Sequence, residues 1–203
     1  MIHLLGTAPF DGYNITPTYS LPDGKNRLLL FLAAGTSATD TRDATYNGST
    51  MTVVKVLNTP GSYGSYGSAA IAYLEIPDTW AAGSYSITHH MQTSFMIACF
   101  GGVKKSSGVL ATDSTFGSNQ PGVSRAIACR PSGLVVTVLN APGKTITATG
   151  VTELYNASGY SIGYKITTTD TLTPAFTLNS NGDVAYMAAA YIPKPNYGSV
   201  SIF

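Results

Sequence analysis

An apolar run, Leu28-Leu29-Leu30-Phe31-Leu32-Ala33-Ala34, ends at Gly35 and decides the fold class. Successive side chains of a strand point to opposite faces, and all residues of this run are apolar. A strand made from it therefore needs cover on both of its faces. It is also far shorter than the roughly 20 residues that a membrane-spanning helix requires. The run therefore predicts a central strand of a sheet that is covered on both sides.

Three further runs have the same apolar character and are predicted as inner strands of the same fold. They are residues 95–100, 134–138 and 184–192. Other β-prone stretches are residues 51–56, 69–76, 84–91, 94–103, 123–130, 134–139, 145–155, 161–168 and a short piece at 176–178. Clusters of Gly, Pro, Asn and Ser separate them. About ten antiparallel strands at these intervals are typical of an all-β sandwich or barrel.

Two local patterns support strands over helices. Asn47-Gly48 lies between two β-prone runs, and this pair is the strongest short-range signal of a β-hairpin. From Ser84 onwards apolar and polar residues alternate with a period of two, as in a strand with one buried face. We therefore predict a strand there, although the stretch lacks Gly and Pro.

The composition excludes several classes of protein. The chain has 203 residues, among them 26 Thr, 20 Ser and 10 Asn, and only 10% of its residues are charged. A coiled coil or helix bundle needs abundant Glu, Lys, Ala and Leu. The net charge of +1, without a basic cluster, argues against electrostatic binding of nucleic acid, which requires grouped Lys or Arg.

The chain is predicted to form one domain. Residues 1–24 and 194–203 are rich in proline and are interpreted as an N-terminal arm or edge segment and a C-terminal tail around a β-sandwich at 25–193. No composition break and no exact internal repeat divides the central part. The N-terminus lacks the basic and apolar regions of a secretory signal, so we expect assembly in a cytoplasm and no membrane association.

No motif in the sequence predicts catalysis, a cofactor or a metal site. Cys99 and Cys129 lie in apolar stretches and are predicted to be reduced, catalytically silent thiols. His89 and His90 would point to opposite faces of one strand, so they cannot both bind one metal ion. Most aspartates occur in turn contexts, where the side chain caps the local backbone. The expectation is a protein that is not an enzyme.

Aromatic residues supply the candidate contact sites. Tyr63 and Tyr66 lie in the Gly/Ser-rich tract at 61–68, which is interpreted either as an outward-facing contact loop or as a simple connector. Trp80, together with the 13 tyrosines of the chain, favours sugar stacking as an alternative function. Tyr63, Tyr66 and Trp80 are therefore the predicted contacts with a partner or a glycan.

Several segments together resemble a known class of proteins. They are NRLLLF at 26–31, YNGSTMT at 46–52, IAYL at 71–74, GSYSIT at 83–88 and the closing run 185–192 followed by Pro193. The pattern, over residues 26–193, resembles β-sandwich proteins encoded among the structural genes of tailed bacteriophages, used as capsid decoration, head-fibre or minor tail components. The resemblance implies a single jelly-roll or concanavalin-like β-sandwich, a virion location and no catalytic residues.

The expected function follows from this resemblance. It is a non-enzymatic capsid decoration, cement or head-fibre protein whose partners are the major capsid protein or other virion proteins, with a host-surface glycan as a further partner. Because a sandwich has exposed edges that a neighbour can cover, we expect a symmetric oligomer, specifically a homotrimer. The alternative is a lectin-like carbohydrate-binding module of a phage tail or fibre.

Overall fold

The computed structural model describes residues 1–10, 16–37, 44–58, 68–89, 92–103, 109–157 and 159–193. All regular secondary structure in these ranges is β-strand, and the strands pair antiparallel, which confirms the predicted all-β class. These ranges contain no helix able to span a bilayer. Tyr63, Tyr66, His90 and residues 194–203 lie outside the described residues.

Seventeen strands occur in the described residues, more than the ten or so predicted, because several are only two residues long. The first nine are β1 (His3–Phe10), β2 (Thr18–Leu21), β3 (Arg27–Ser37), β4 (Thr45–Tyr46), β5 (Ser49–Thr50), β6 (Thr52–Asn58), β7 (Ser68–Ile76), β8 (Gly83–Thr88) and β9 (Gln92–Gly101). The others are β10 (Val109–Ser124), β11 (Ile127–Ala128), β12 (Leu134–Asn140), β13 (Ile146–Thr149), β14 (Thr152–Ala157), β15 (Tyr160–Ile166), β16 (Thr171–Leu172) and β17 (Ala175–Tyr191).

Two large sheets form the centre of the molecule. One has the strand order β1-β9-β3-β7-β6, and the other has the order β10-β17-β12-β15-β14, with β13 paired to the first part of β17. The apolar runs predicted as inner strands lie in β3, β9, β12 and β17. Each of these strands has a hydrogen-bonded neighbour on both sides, and the runs are buried on both faces. That prediction is confirmed.

Three apolar cores lie between four layers. The inner core lies between the two large sheets, where Leu30 and Leu32 belong to the same buried cluster as Val136 and Val138. The outer face of the first sheet packs against the small sheet β2-β8-β4-β5, and the outer face of the second packs against β11, β16 and β13. Because both faces of each large sheet are covered, its central strands carry apolar side chains on both faces.

The two large sheets are the same structure repeated. We call residues 1–103 the N-half and residues 109–193 the C-half. In each half the first strand (β1 or β10) pairs with the last (β9 or β17), and the last pairs with the central strand (β3 or β12). The central strand also pairs with β7 or β15, which in turn pairs with the edge strand β6 or β14. Each half also has a short strand pair, β2 with β8 or β11 with β16. The sequence contains no exact repeat, so this duplication is visible only in the pairing.

Matching irregularities show that the equivalence extends to single residues. The ladder of β6 with β7 has a bulge between Val53 and Lys55, and that of β14 with β15 has one between Glu153 and Tyr155. A second pair of bulges occurs where each half begins, between Leu4 and Gly6 in β1 and between Val109 and Ala111 in β10. Bulges are specific features of a strand pairing. The registers therefore define which residues of the two halves correspond.

In the inner core, two aromatic contacts between the halves join the same pair of equivalent positions. Phe100 corresponds to Tyr191, because they pair with the equivalent residues Leu28 and Leu134. By the same rule Tyr73 corresponds to Tyr164. The ring of Tyr73 meets that of Tyr191 edge to face at 5.8 Å, and the ring of Tyr164 meets that of Phe100 in the same way at 5.3 Å. Reciprocal contacts of this kind define a two-fold, self-complementary interface.

The sequence-based prediction was wrong around residues 109–130. Residues 109–124 form the edge strand β10, whereas the sequence predicted a strand at 123–130, of which only short pieces exist. Gly117, Pro121 and Gly122 hide the strand in the sequence, but an edge strand with bulges tolerates them. β17 is likewise one strand over 175–191 where two separate pieces were predicted, because it pairs with β10, β12 and β13 in turn.

The N-terminal segment contributes two strands to the fold. β1 forms the edge of the first large sheet on β9, and β2 pairs with β8 in the small sheet. Ile2 belongs to the inner core and Leu21 to the outer core of the N-half. Residues 1–24 are thus an edge segment of the N-half in the part that the structure describes.

Candidate functional site

Trp80 lies in the turn between β7 and β8 and is half-buried in a cluster of aromatic rings. Its ring centroid is 6.2 Å from that of Tyr46 and 5.7 Å from that of Tyr85. Tyr46 is fully buried and donates a hydrogen bond to the backbone oxygen of Tyr19 at 3.1 Å. Trp80 therefore helps to cover the outer core of the N-half, and part of its ring is used for packing.

A buried arginine holds the turn that carries Trp80. Arg27 is 2% exposed, and its guanidinium donates hydrogen bonds to the backbone oxygens of Pro22 at 2.9 Å, of Pro77 at 3.3 Å and of Trp80. Because three carbonyls in two separate turns accept these bonds, the guanidinium connects the turns. The sequence gives no sign of this role, since Arg27 simply precedes an apolar run.

The two cysteines are free thiols in buried positions, as predicted. Burial raises the pKa of Cys99 to about 12. Burial also raises the pKa of Cys129, whose thiol donates to the backbone oxygen of Thr169 at 3.2 Å. Since the thiolate is the nucleophilic form of cysteine, these environments keep both side chains in the unreactive form at neutral pH.

The exposed face of β10 carries a groove of about 250 Å³, which we call the Phe116 groove. Its lining residues are Thr115, Phe116, Gly117, Gln120, Gly122, Val123, Ser124, Arg125 and Val184. Phe116 is 57% exposed, a high value for a large apolar side chain. Phe116 pairs with Ala185 of the inner core and Thr115 with Tyr186 of the outer core, so these two side chains point to opposite faces of the edge strand.

A planar ion pair lies beside the groove. Arg125 donates from Nε to Oδ2 of Asp113 at 2.6 Å and from Nη2 to Oδ1 at 3.0 Å. The hydrogen bond and charge of Asp113 raise the pKa of Arg125 above its usual value. Because the two bonds are parallel, the guanidinium is fixed in one plane, while Nη1 takes no part in the fork.

The local sequence builds the groove by bending β10. Register shifts occur between Gly117 and Gln120 and between Gln120 and Gly122. A side chain at position 122 would place its Cβ 2.1 Å from the backbone oxygen of Phe176, so only glycine permits this close approach. Nε2 of Gln120 donates to the backbone oxygen of Ser118 at 2.9 Å, which closes the turn between the two bulges.

A second cavity, of about 380 Å³, lies beside Lys144 and Asn156. Nζ of Lys144 donates to Oγ of Ser180 at 3.1 Å. Nδ2 of Asn156 donates to the backbone oxygen of Ile146 at 3.0 Å and to Oε1 of Glu153 at 2.8 Å. Lys144 and Asn156 therefore each donate to acceptors of the protein itself, which leaves fewer of their groups for a ligand.

Among the predicted contact residues the structure describes Trp80, and it lies in a different half from the groove. Trp80 belongs to the N-half, whereas Phe116, Gln120 and Arg125 belong to the C-half. Sequence reasoning missed the groove because Gly and Pro concealed β10. Residues 111–117 show no alternation of apolar and polar side chains, so the sequence offered no period-two signal for this strand.

Comparisons with known proteins give no further assignment. No protein-family model, no curated protein and no solved structure matches this chain. Among the residues that the structure describes, no three His, Cys, Asp or Glu side chains are placed to hold a metal ion together.

Proposed function

We propose that the protein is a non-enzymatic structural component of a bacteriophage particle, of the capsid decoration, cement or head-fibre type. In this proposal it binds the major capsid protein or other virion proteins and either stabilises the particle or presents an adhesive surface. The chain would then be assembled in the host cytoplasm and located in the virion.

The observation that carries the proposal is the depth of packing around the four inner strands. Four layers of sheet enclose three apolar cores, and the two halves contact each other through reciprocal aromatic pairs. Close-packed cores resist deformation, which suits a module that keeps its shape on a particle surface. The resemblance of residues 26–193 to phage structural proteins supports the same function.

The proposal includes a symmetric trimer. β1 and β6 are the ends of one strand order, and β10 and β14 are the ends of the other. Strands at sheet edges present unpaired backbone groups that a neighbouring chain can cover. Multi-angle light scattering tests this part, because a monomer at all concentrations would contradict it.

Attachment to particles tests the main proposal. Tagged protein is added to purified particles of the phage that encodes the chain, prepared without this gene product, and the mixture is sedimented through a density gradient. We expect saturable co-sedimentation at a fixed number of copies per particle. Protein that stays at the top of the gradient at every concentration would contradict the proposal.

A lectin-like carbohydrate-binding module is the second candidate function. The specific observation in its favour is the groove on β10, which Gln120 and Arg125 line together with Thr115 and Ser124. A concave site with a few fixed polar groups is typical of small-molecule binding. This function is compatible with a place on a phage tail or fibre.

A further inference from the structure

We propose that residues 197–203 of one copy of the chain pair, as an added strand, with the outer edge of β10 in a neighbouring copy. The inference rests on the proposed trimer and deepens it, because it names the edge, the segment that covers it and the side chains in contact. Each copy in the ring then gives one strand and receives one.

The four edges of the two large sheets are not equally protected against strand addition. β1 contains Pro9 and a bulge between Leu4 and Gly6, and β6 and β14 each have a bulge near their start. Prolines and bulges are devices that keep edge strands from pairing with other chains. β10 pairs with β17 over residues 111–117 without a register shift, and this stretch contains no proline. β10 is therefore the edge best suited to accept a strand.

The outer edge of β10 is uncharged overall and partly apolar. Among the described residues, no strand pairs with this side of β10. Asp113 is the one charged residue of 111–117, and Arg125 neutralises it through two hydrogen bonds. Phe116 lies on the opposite face of the strand and is 57% exposed at the margin of the inner core. A strand that covers this edge should be uncharged and should carry apolar side chains on the face of Phe116.

The C-terminal segment Tyr-Gly-Ser-Val-Ser-Ile-Phe, residues 197–203, has these properties. It contains no charged side chain. Val200 and Ile202 alternate with serines, which is the pattern of a strand with one apolar face. With Val200 and Ile202 on the face of Phe116, an aromatic ring and β-branched side chains become cross-strand neighbours, a favourable combination in antiparallel sheets.

The place where the tail begins favours a neighbouring copy as the acceptor. Tyr191 pairs with Val109 at the start of β10, and the tail follows two residues later, after Pro193. All described strand pairs are antiparallel. To pair antiparallel with its own β10, the tail would first have to reach the far end at residue 117, about 27 Å away. Residues 194–203 span at most about 35 Å when fully extended, so too few would remain to pair.

This contact also agrees with a ring of copies. The tail and the edge of β10 are different surfaces, so the contact between two copies is heterologous. Heterologous contacts build rings when the rotation between copies closes, whereas a contact of β10 with a second β10 would build a two-fold dimer. In a closed ring of three, every β10 edge is covered.

Light scattering of full-chain variants tests the pairing. Val200→Lys places a charge on the apolar face of the tail, and Thr112→Lys places one on the face of β10 that Phe116 shares. We expect each to raise the dissociation constant of the trimer at least about tenfold, which corresponds to about 1.4 kcal/mol. Ser201→Lys, on the other face of the tail, and Thr7→Lys, at the position of β1 equivalent to Thr112, are the matched controls and should remain trimers.

Oxidative cross-linking shows which copy receives the tail. Phe116→Cys is combined with Val200→Cys or with Ile202→Cys, and the native cysteines are buried. We expect at least one double variant to give disulfide-linked trimers on a non-reducing gel. A disulfide within a single chain would overturn the proposal, because the tail would then cover its own β10.

The remaining outcomes separate this proposal from the proposed function. Trimers for both Val200→Lys and Thr112→Lys, or monomers for either control variant, would overturn the tail exchange and leave the trimer in place. A wild-type monomer at all concentrations would overturn both. Circular dichroism shows whether each variant is folded, and Val200→Lys decides alone if Thr112→Lys does not fold. Co-sedimentation of wild-type protein with particles tests attachment independently.

Discussion

The N-half and the C-half have large sheets with the same strand order, but the outer faces of these sheets are covered by different structures. In the N-half a four-stranded sheet with Tyr46, Trp80 and Tyr85 covers the outer core. In the C-half the cover is made by β11, β16 and β13, and β10 continues past the part that corresponds to β1. The inner faces are constrained because they pack on each other. The outer faces pack only within their own half, so they are free to differ.

The two halves also stabilise the turn before the central strand in different ways. In the N-half the guanidinium of Arg27 donates to the backbone oxygen of Pro22 in that turn and to that of Pro77 in the turn after β7. The equivalent position in the C-half is Gly133, and there the hydroxyl of Thr167 donates to the backbone oxygens of Arg130 and, at 3.2 Å, of Gly133. Both arrangements satisfy buried carbonyls, which would otherwise destabilise the fold.

The largest effect is expected from the exchanged aromatic contacts. Phe100 and Tyr191 are 0% and 2% exposed and occupy equivalent positions. We expect Phe100→Ala and Tyr191→Ala to lower the free energy of unfolding by about 3–5 kcal/mol each. Urea titration measures both losses. A large loss for one variant and none for the other would break the equivalence of the halves.

Arg27→Met should lower the free energy of unfolding by about 3 kcal/mol, because it leaves buried carbonyls without donors. Trp80 is the single tryptophan, so its fluorescence reports on the turn that Arg27 holds. We expect a red shift of its emission in the folded variant. Thr167→Val, the matched change in the C-half, should lower stability without moving the emission; an unchanged emission for Arg27→Met would show that the guanidinium does not fix the turn.

Stability should fall at alkaline pH. The pKa of Cys99 is about 12 in the folded protein and about 8.5 in an unfolded chain, so the unfolded state loses its thiol proton first. The stabilisation is complete below pH 8.5 and is lost as the pH rises towards 12, by about 2 kcal/mol at pH 10. Burial raises the pKa of Tyr19, Tyr46 and Tyr186 in the same direction. Cys99→Ala, which copies the equivalent Ala190, should flatten the decline between pH 8 and pH 10, and an equal slope would contradict the assignment.

Tyr191→Phe should stabilise the protein by about 1 kcal/mol. The hydroxyl of Tyr191 is buried without a hydrogen-bond partner among the described residues, and the equivalent residue is Phe100. Removing an unsatisfied polar group removes its desolvation cost. Thermal unfolding measures the shift. Tyr46→Phe is the control and should destabilise, since it removes a hydrogen bond to Tyr19; a loss of stability in Tyr191→Phe would reveal an interaction of that hydroxyl.

The smallest effect is expected at the ion pair of the groove. Asp113→Ala introduces the residue found at the equivalent position Ala8 of the N-half. It should lower the free energy of unfolding by less than about 1 kcal/mol, because the side chain of Arg125 is 47% exposed and exposed ion pairs contribute little to stability. Urea titration at low salt and at 1 M NaCl should give nearly the same result for this variant. A loss above 2 kcal/mol would contradict this, because it would mean that the pair maintains the fold.

Sequence reasoning succeeded where the signal was local and strong. The runs at 28–34 and 134–138 predicted central strands because they are apolar at both parities, and Asn47-Gly48 lies in the turn between β4 and β5. It failed at β10 and at the start of β17, where Gly117, Pro121 and Gly122 suggested turns. Pairing with a neighbouring strand decides the conformation there, and a single sequence does not display that neighbour.

The sequence by itself determined the all-β class, the four inner strands and the environment of the cysteines, because burial on both faces requires a particular pattern of apolar residues. The tertiary structure alone decided the repeat. Phe-Met-Ile-Ala-Cys-Phe at 95–100 and Tyr-Met-Ala-Ala-Ala-Tyr at 186–191 fill the same positions, since a core accepts different apolar side chains of suitable volume. The groove, too, exists only after folding, because Thr115, Gln120 and Arg125 are brought together by two bulges and by the close approach of Gly122 to Phe176, which is distant in the chain.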